Sequence, residues 1–158
     1  MSRAYLALGA NLGDPVATVQ AAFAALAALP GSQLLATSKL YRTAPVGITE
    51  QPEFVNAAAL LDTPLAPEAL LDALLAIEAQ FGRIRAERNG PRTLDLDLLL
   101  YDDQVLNTPR LTLPHPRLHL RAFVLYPLAD LDPDLRLPGR GTLAAWLPAV
   151  ANQGICRL

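Results

Sequence analysis

The stretch Arg88-Asn89-Gly90-Pro91-Arg92-Thr93-Leu94-Asp95-Leu96-Asp97-Leu98-Leu99 places an arginine-rich Gly-Pro loop directly before an apolar segment that carries two aspartates. Side chains alternate faces along a strand, so Asp95 and Asp97 share a face with Leu99 and Tyr101, and Leu94, Leu96, Leu98 and Leu100 take the other. Two like charges on a partly covered face repel, and a divalent cation removes that cost. Oxygen donors without a His/Cys cluster favour Mg²⁺ over zinc. Arg83, Arg85, Arg88 and Arg92 fall close together, and arginine is the side chain suited to bidentate contact with phosphate. The combination points to metal-assisted work on a polyphosphate. There is no G-x-x-x-x-G-K-[ST] sequence, so arginine and metal must meet the phosphate charge.

Other polar residues are weaker signals. His115 lies in the stiff segment Pro114-His115-Pro116, with Arg110 and Thr112 before it and Arg121 after it. His119 reads as a surface residue. Glu78, beside Ile77 in a helical pattern, reads as a helix-edge charge. Phe54, Asn56 and Phe123 read by default as core and strand residues.

The elements that must position these groups follow from periodicity and breakers. Residues 3–9 form a first strand, and Asp14-Pro15 opens a helix with Asp as N-cap and Pro at the first helical position. Val19, Ala22, Phe23, Leu26 and Leu29 give that helix one apolar face, and Pro30-Gly31 ends it. A strand over 33–42, a loop over 43–52 and a strand over 54–61 follow. Pro67 starts a second helix with Leu70, Leu71, Leu74, Ile77 and Phe81 at the 3.6 period and Gly82 after its end. The aspartate strand covers 93–101. This β-α-β-β-α-β order predicts an α+β, ferredoxin-like fold with an antiparallel sheet and helices packed on one face. Beyond Tyr101, prolines at 109, 114, 116, 127, 133, 138 and 148 break the chain into short pieces. These include a short strand at 104–106 and a helix at 141–147, and the whole reads as an irregular C-terminal extension.

The 158 residues suit a single domain, and 52% apolar against 18% charged residues excludes extended disorder. A net charge of -2 gives no global attraction to nucleic acid or acidic membrane. Positive charge is carried by twelve arginines and the single Lys39. Cys156 has no partner, no apolar run reaches membrane-spanning length, and the N-terminus does not read as a signal peptide. A cytoplasmic, soluble protein is expected.

Several stretches together resemble the 6-hydroxymethyl-7,8-dihydropterin pyrophosphokinases of folate biosynthesis. They are Gly9-Ala10-Asn11-Leu12-Gly13, Tyr41-Arg42-Thr43-Ala44-Pro45, Gln51 to Ala58, Gly82-Arg83, Arg88 to Leu99, Leu113 to Arg117 and Arg121 to Leu128. The resemblance runs from residue 3 to about 130. It implies transfer of diphosphate from the co-substrate ATP to the hydroxymethyl group of the pterin, with release of AMP. Asp95 and Asp97 would hold two Mg²⁺ ions, and Arg83 and Arg92 would act on the transferring group. Glu78, Arg85, Arg92, Leu98, Arg110, Thr112, His115 and Arg121 would bind ATP. Thr43, Pro45, Val46, Phe54, Asn56 and Phe123 would bind the pterin, the two phenylalanines sandwiching the ring. The loops 43–52 and 83–92 would close over the substrates and exclude water. Against the family pattern, Ala10, Phe54, Asn89, Pro116 and Leu75 are departures, none of them at a metal ligand. A monomer is favoured, with no nucleic-acid or membrane partner. The rivals are a nucleic-acid-binding module on the same fold, which needs exposed strand aromatics and a basic face, and a Mg-dependent nuclease or phosphohydrolase.

Overall fold

The structure, a computed structural model, describes residues 1–43, 53–82 and 93–158. Its elements run β1 (Ser2–Ala10), α1 (Pro15–Ala27), β2 (Gln33–Thr37), β3 (Tyr41–Thr43), β4 (Phe54–Thr63), α2 (Pro67–Gln80) and β5 (Asp95–Tyr101). Then come β6 (Leu106–Asn107), β7 (Thr112–Leu113), α3 (Ala122–Leu131), β8 (Arg136–Leu137), β9 (Gly141–Thr142), α4 (Leu147–Val150) and β10 (Ile155–Arg157). The main sheet has the order β10-β3-β4-β1-β5, with β2 also pairing β4, and every pairing is antiparallel. This is the expected ferredoxin-like α+β core.

The local signals act as their chemistry requires. Asp14 caps α1 by accepting the Ala17 N–H at 3.2 Å, with Pro15 in the first turn. Past the end of α2, Gly82 takes φ 74°, a left-handed conformation that costs glycine little, and donates its N–H to the Ala79 carbonyl. The strand expected over 33–42 is divided at Ser38. There the Ser38 Oγ accepts the Ala58 N–H at 2.8 Å while the Ser38 N–H donates to the Ala58 carbonyl, so a side chain replaces one rung of the ladder.

The two helices of the core lie on one face of the sheet, as expected, and a third helix from the C-terminal extension covers the other. Leu6 and Leu8 of β1, with Leu94, Leu96 and Leu98, pack under α1 and α2. Ala7, Ala58, Leu99 and Leu100 pack under α3 on the other side. The ten-residue α3 is absent from the sequence reading because Pro127 looks like a breaker. A proline six residues into a helix removes one hydrogen bond and costs about 3 kcal/mol. Val124, Leu125 and Leu128 are buried in the same helix, and burying each is worth about 1.5–3 kcal/mol. Burial outweighs the break. The helix expected at 141–147 is instead β9, a 3-10 turn over Leu143–Trp146 and then α4. The short strand expected at 104–106 is displaced to β6.

His119 is also not a surface residue. It is 8% exposed, packs edge-on against Trp146 at 4.7 Å between ring centroids, and lies 3.3 Å from Arg140 through Nε2. Burial and the Arg140 charge push its pKa down.

Candidate active site

The register of the sheet builds the site. Across the α3 side, Tyr41 of β3 pairs Asn56 of β4, Asn56 pairs Gly9 of β1, and Gly9 pairs Asp95 of β5. One row along, Ala7 lies between Ala58 and Asp97. Neighbouring strands are about 4.8 Å apart, so Asn56 and Asp95 face each other over roughly 10 Å with only Gly9 between them. Small residues at 7 and 9 leave the floor open. A Cβ on Gly9 would meet Asn56 Oδ1 at 2.9 Å, so position 9 admits no side chain without moving the amide.

Asn56 and Thr43 are buried, 6% and 5% exposed, and Asn56 Nδ2 donates to Thr43 Oγ1 at 2.7 Å. That bond orients the amide and leaves its second N–H and its oxygen available to a flat polar ligand. Tyr41 takes no acid–base part. Its hydroxyl donates to Asp130 at 2.8 Å, and burial, with that bond, pushes its pKa up to about 12.

The aspartate strand departs from simple alternation. Tyr5 pairs Leu100 but Leu6 pairs Leu98, so Leu99 is an extra residue, a β-bulge. Up to the bulge Asp95 and Asp97 share a face, as expected. Beyond it the faces exchange: Tyr101 turns into the α1/α2 core and Leu100 packs under α3. The bulged Leu99 offers its carbonyl outward, where it accepts the His115 N–H at 2.9 Å. The bulge thus docks the His115 segment against the edge of β5, next to the aspartates.

Glu78 is 3% exposed and not a helix-edge charge. Its Oε2 accepts the Leu96 N–H at 2.7 Å, holding the strand edge between Asp95 and Asp97. Leu98 is buried with its side chain in the α1/α2 core, so only its backbone is available to a ligand.

Arg121 is held partly buried, which pushes its pKa down, while Asp97 and Asp95 pull it back up. Its guanidinium lies 5.3 Å from the centroid of the Phe123 ring, a cation–π contact. His115 Nδ1 accepts the Arg117 N–H at 3.2 Å, which leaves the ring proton on Nε2. Burial pushes its pKa down to about 4, helped by Arg121 and Arg117 and opposed by Asp95. Asp95, Asp97, His115, Arg117 and Arg121 therefore share one electrostatic neighbourhood. Arg117 is missing from the sequence-derived set, although it follows His115 by two residues in a proline turn.

Arg110 and Thr112 lie on the β6–β7 hairpin and its approach. Arg110 is exposed and ion-paired with Asp72 of α2, so binding an anion there exchanges one partner for another. Pro45, Val46, Arg83, Arg85 and Arg92 lie outside the described residues.

The depressed pKa of His115 has a measurable consequence. Well above its ordinary value of 6.5 the ring is neutral, folded or unfolded. As pH falls from about 6.5 to about 4 the unfolded chain takes up a proton that the folded one refuses, so stability is lost across that window. The His115 ring resonances should therefore stay flat from about pH 8 to pH 5.5 in an NMR titration. A midpoint near the ordinary value would overturn the assignment.

The described residues contain no group of three or more His, Cys, Asp or Glu able to hold a metal. Asp95 and Asp97 can still supply two carboxylates from one face. That set fits Mg²⁺, which keeps water and takes substrate phosphate oxygens for its remaining positions. No helix among the described residues is long and apolar enough to cross a membrane.

The family described as 7,8-dihydro-6-hydroxymethylpterin-pyrophosphokinase (HPPK) matches residues 5–133 of the chain. A Pseudomonas aeruginosa 2-amino-4-hydroxy-6-hydroxymethyldihydropteridine pyrophosphokinase is 54% identical over 158 residues, covering 100% of this chain and 98% of its own. The Haemophilus influenzae protein of the same name is 42% identical, covering 100% and 99%. Among solved structures, wild-type Plasmodium falciparum HPPK-DHPS with pteroate superposes with a TM-score of 0.75 at 15% identity, over 93% of this chain. The chain spans only 42% of that longer protein, and at this identity the likeness concerns the fold.

Proposed function

The chain belongs to the 7,8-dihydro-6-hydroxymethylpterin-pyrophosphokinase family and is a pyrophosphokinase of folate biosynthesis, and from that premise we propose how its residues carry out the reaction. ATP gives its terminal diphosphate to the hydroxymethyl oxygen of the dihydropterin, and AMP leaves. The observation that carries this reading is the row Asn56–Gly9–Asp95. It sets a ligand-reading amide opposite the first of two carboxylates across a floor with no side chain.

The pterin lies over that floor, its polar edge read by Asn56 beside Thr43 and its ring faces held by Phe54 and Phe123, with Pro45 and Val46 also contacting it. Asp95 and Asp97 would hold Mg²⁺. When bound, the metal supplies charge neutralisation on the transferring group. Arg121 and the Nε2–H of neutral His115 donate to the nucleotide phosphates, with Arg110, Thr112 and the Leu98 backbone beyond them. Arg83, Arg85 and Arg92 clamp the diphosphate being moved, and Glu78 acts on the nucleotide side. A monomer is in keeping with this reading, in which both substrates are small molecules. A cytoplasmic location fits a pathway that uses ATP.

Incubation with ATP, Mg²⁺ and the hydroxymethyldihydropterin, followed by ³¹P NMR, tests the reading. The expected result is AMP formed only when both pterin and Mg²⁺ are present. Release of inorganic phosphate without pterin would instead indicate a hydrolase.

A further inference from the structure

The C-terminal segment reaches this site through a single glutamine. Arg121 is the extended joint between the 3-10 turn Leu118–Leu120 and α3, with φ -126° and ψ 117°. Its own side chain makes no cap hydrogen bond for α3. The cap comes from 31 residues further on: Gln153 Oε1 accepts the Ala122 N–H at 2.9 Å. The same amide uses Nε2 to donate to the Leu120 carbonyl at 3.1 Å. Gln153 therefore bonds the peptides on both sides of Arg121.

The splint is itself anchored. The Gln153 N–H donates to the Val150 carbonyl at the end of α4, at 3.2 Å. Two residues later, Ile155 of β10 pairs with Thr43 of β3. The carboxylates that attract Arg121 lie on β5, at the opposite edge of the sheet.

We propose that Gln153 is a positioning residue for Arg121: bracketing the Leu120–Ala122 backbone, it fixes the guanidinium where it meets the nucleotide phosphates. The inference rests on the functional reading above and adds to it a part for the tail. An extended joint between two short helical pieces has soft dihedrals. Two hydrogen bonds to one planar amide remove that freedom before the anion arrives, which is preorganisation.

The test is direct binding of a Mg²⁺-loaded, methylene-bridged ATP analogue by calorimetry, alongside steady-state kinetics. Gln153→Ala should weaken analogue binding about five- to tenfold, leave the pterin KM within about twofold, and keep the far-UV circular dichroism of the wild type. Gln153→Glu keeps the acceptor for Ala122 but turns the donor to Leu120 into a second acceptor facing a carbonyl, so it should also weaken analogue binding, and it serves if the alanine variant folds poorly. In an Arg121→Ala background, Gln153→Ala should have no further effect on binding. A full additional penalty there would mark a general structural role and overturn the proposal, as would wild-type affinity in Gln153→Ala. Failure of the wild type to form pterin-dependent AMP would overturn the functional reading instead, and the analogue measurement keeps the two failures apart.

Discussion

Asp97→Asn abolishes diphosphate transfer, lowering kcat by at least about 10²–10³-fold while the fold persists. The substitution keeps size and shape at a half-buried strand position paired with Ala7. It removes one of two like charges on one face and, with it, an attraction to Arg121; the two effects oppose, so stability without metal should change little. On the proposed reading what is lost is a donor for Mg²⁺, and two carboxylates on one strand face leave little reserve. The checks are turnover, Mg²⁺ titration by calorimetry, and thermal melting with and without Mg²⁺. The wild type should melt higher when Mg²⁺ and nucleotide are added, and the variant should lose that increment. Turnover within tenfold of wild type would remove Asp97 from the metal site, and a collapsed melting temperature would make it structural.

Asn56→Leu raises the pterin KM about 100-fold and leaves binding of the ATP analogue unchanged. A site built to hydrogen-bond its ligand discriminates strongly, because the ligand's polar edge is otherwise buried unpaired. The substitution also strips Thr43 Oγ1 of its donor, so a stability loss of about 1–3 kcal/mol should accompany it. Gly9→Ala separates the two effects. Its methyl group would intrude on Asn56 Oδ1 while the Asn56–Thr43 pair stays chemically intact. The pterin KM should rise about tenfold in that variant with a smaller change in melting temperature. If Asn56→Leu shifts the ATP analogue and not the pterin, the two subsites have been assigned the wrong way round.

The Asp-x-Asp strand, the capped α1 and the α2 that ends at Gly82 were all legible in the chain, because each rests on interactions within a few residues. The same locality explains the misses. Pro127 is a correct local signal against helix, overridden by burial of Val124, Leu125 and Leu128 against the sheet. Glu78 reads as a helix-edge charge and His119 as a surface residue because nothing nearby in sequence reveals that the Leu96 N–H or the Trp146 ring will be their neighbour. The C-terminal thirty residues showed no chemistry for a related reason. Gln153 matters only through backbone atoms 31 positions away.

By itself, then, the sequence determined the reaction class. Paired aspartates, clustered arginines, the absence of a phosphate-binding glycine loop and a long run of family-specific motifs need no coordinates to be read. Only the tertiary structure decided how the described residues of the site meet. The bulge at Leu99 turns the strand and docks His115, the bare Gly9 sets Asn56 across from Asp95, and the tail brackets Arg121. Side-chain identity is a local property written in the chain. Register, bulge position and long-range hydrogen bonding depend on which strands and segments pack together, and that is settled when the whole sheet buries both its faces.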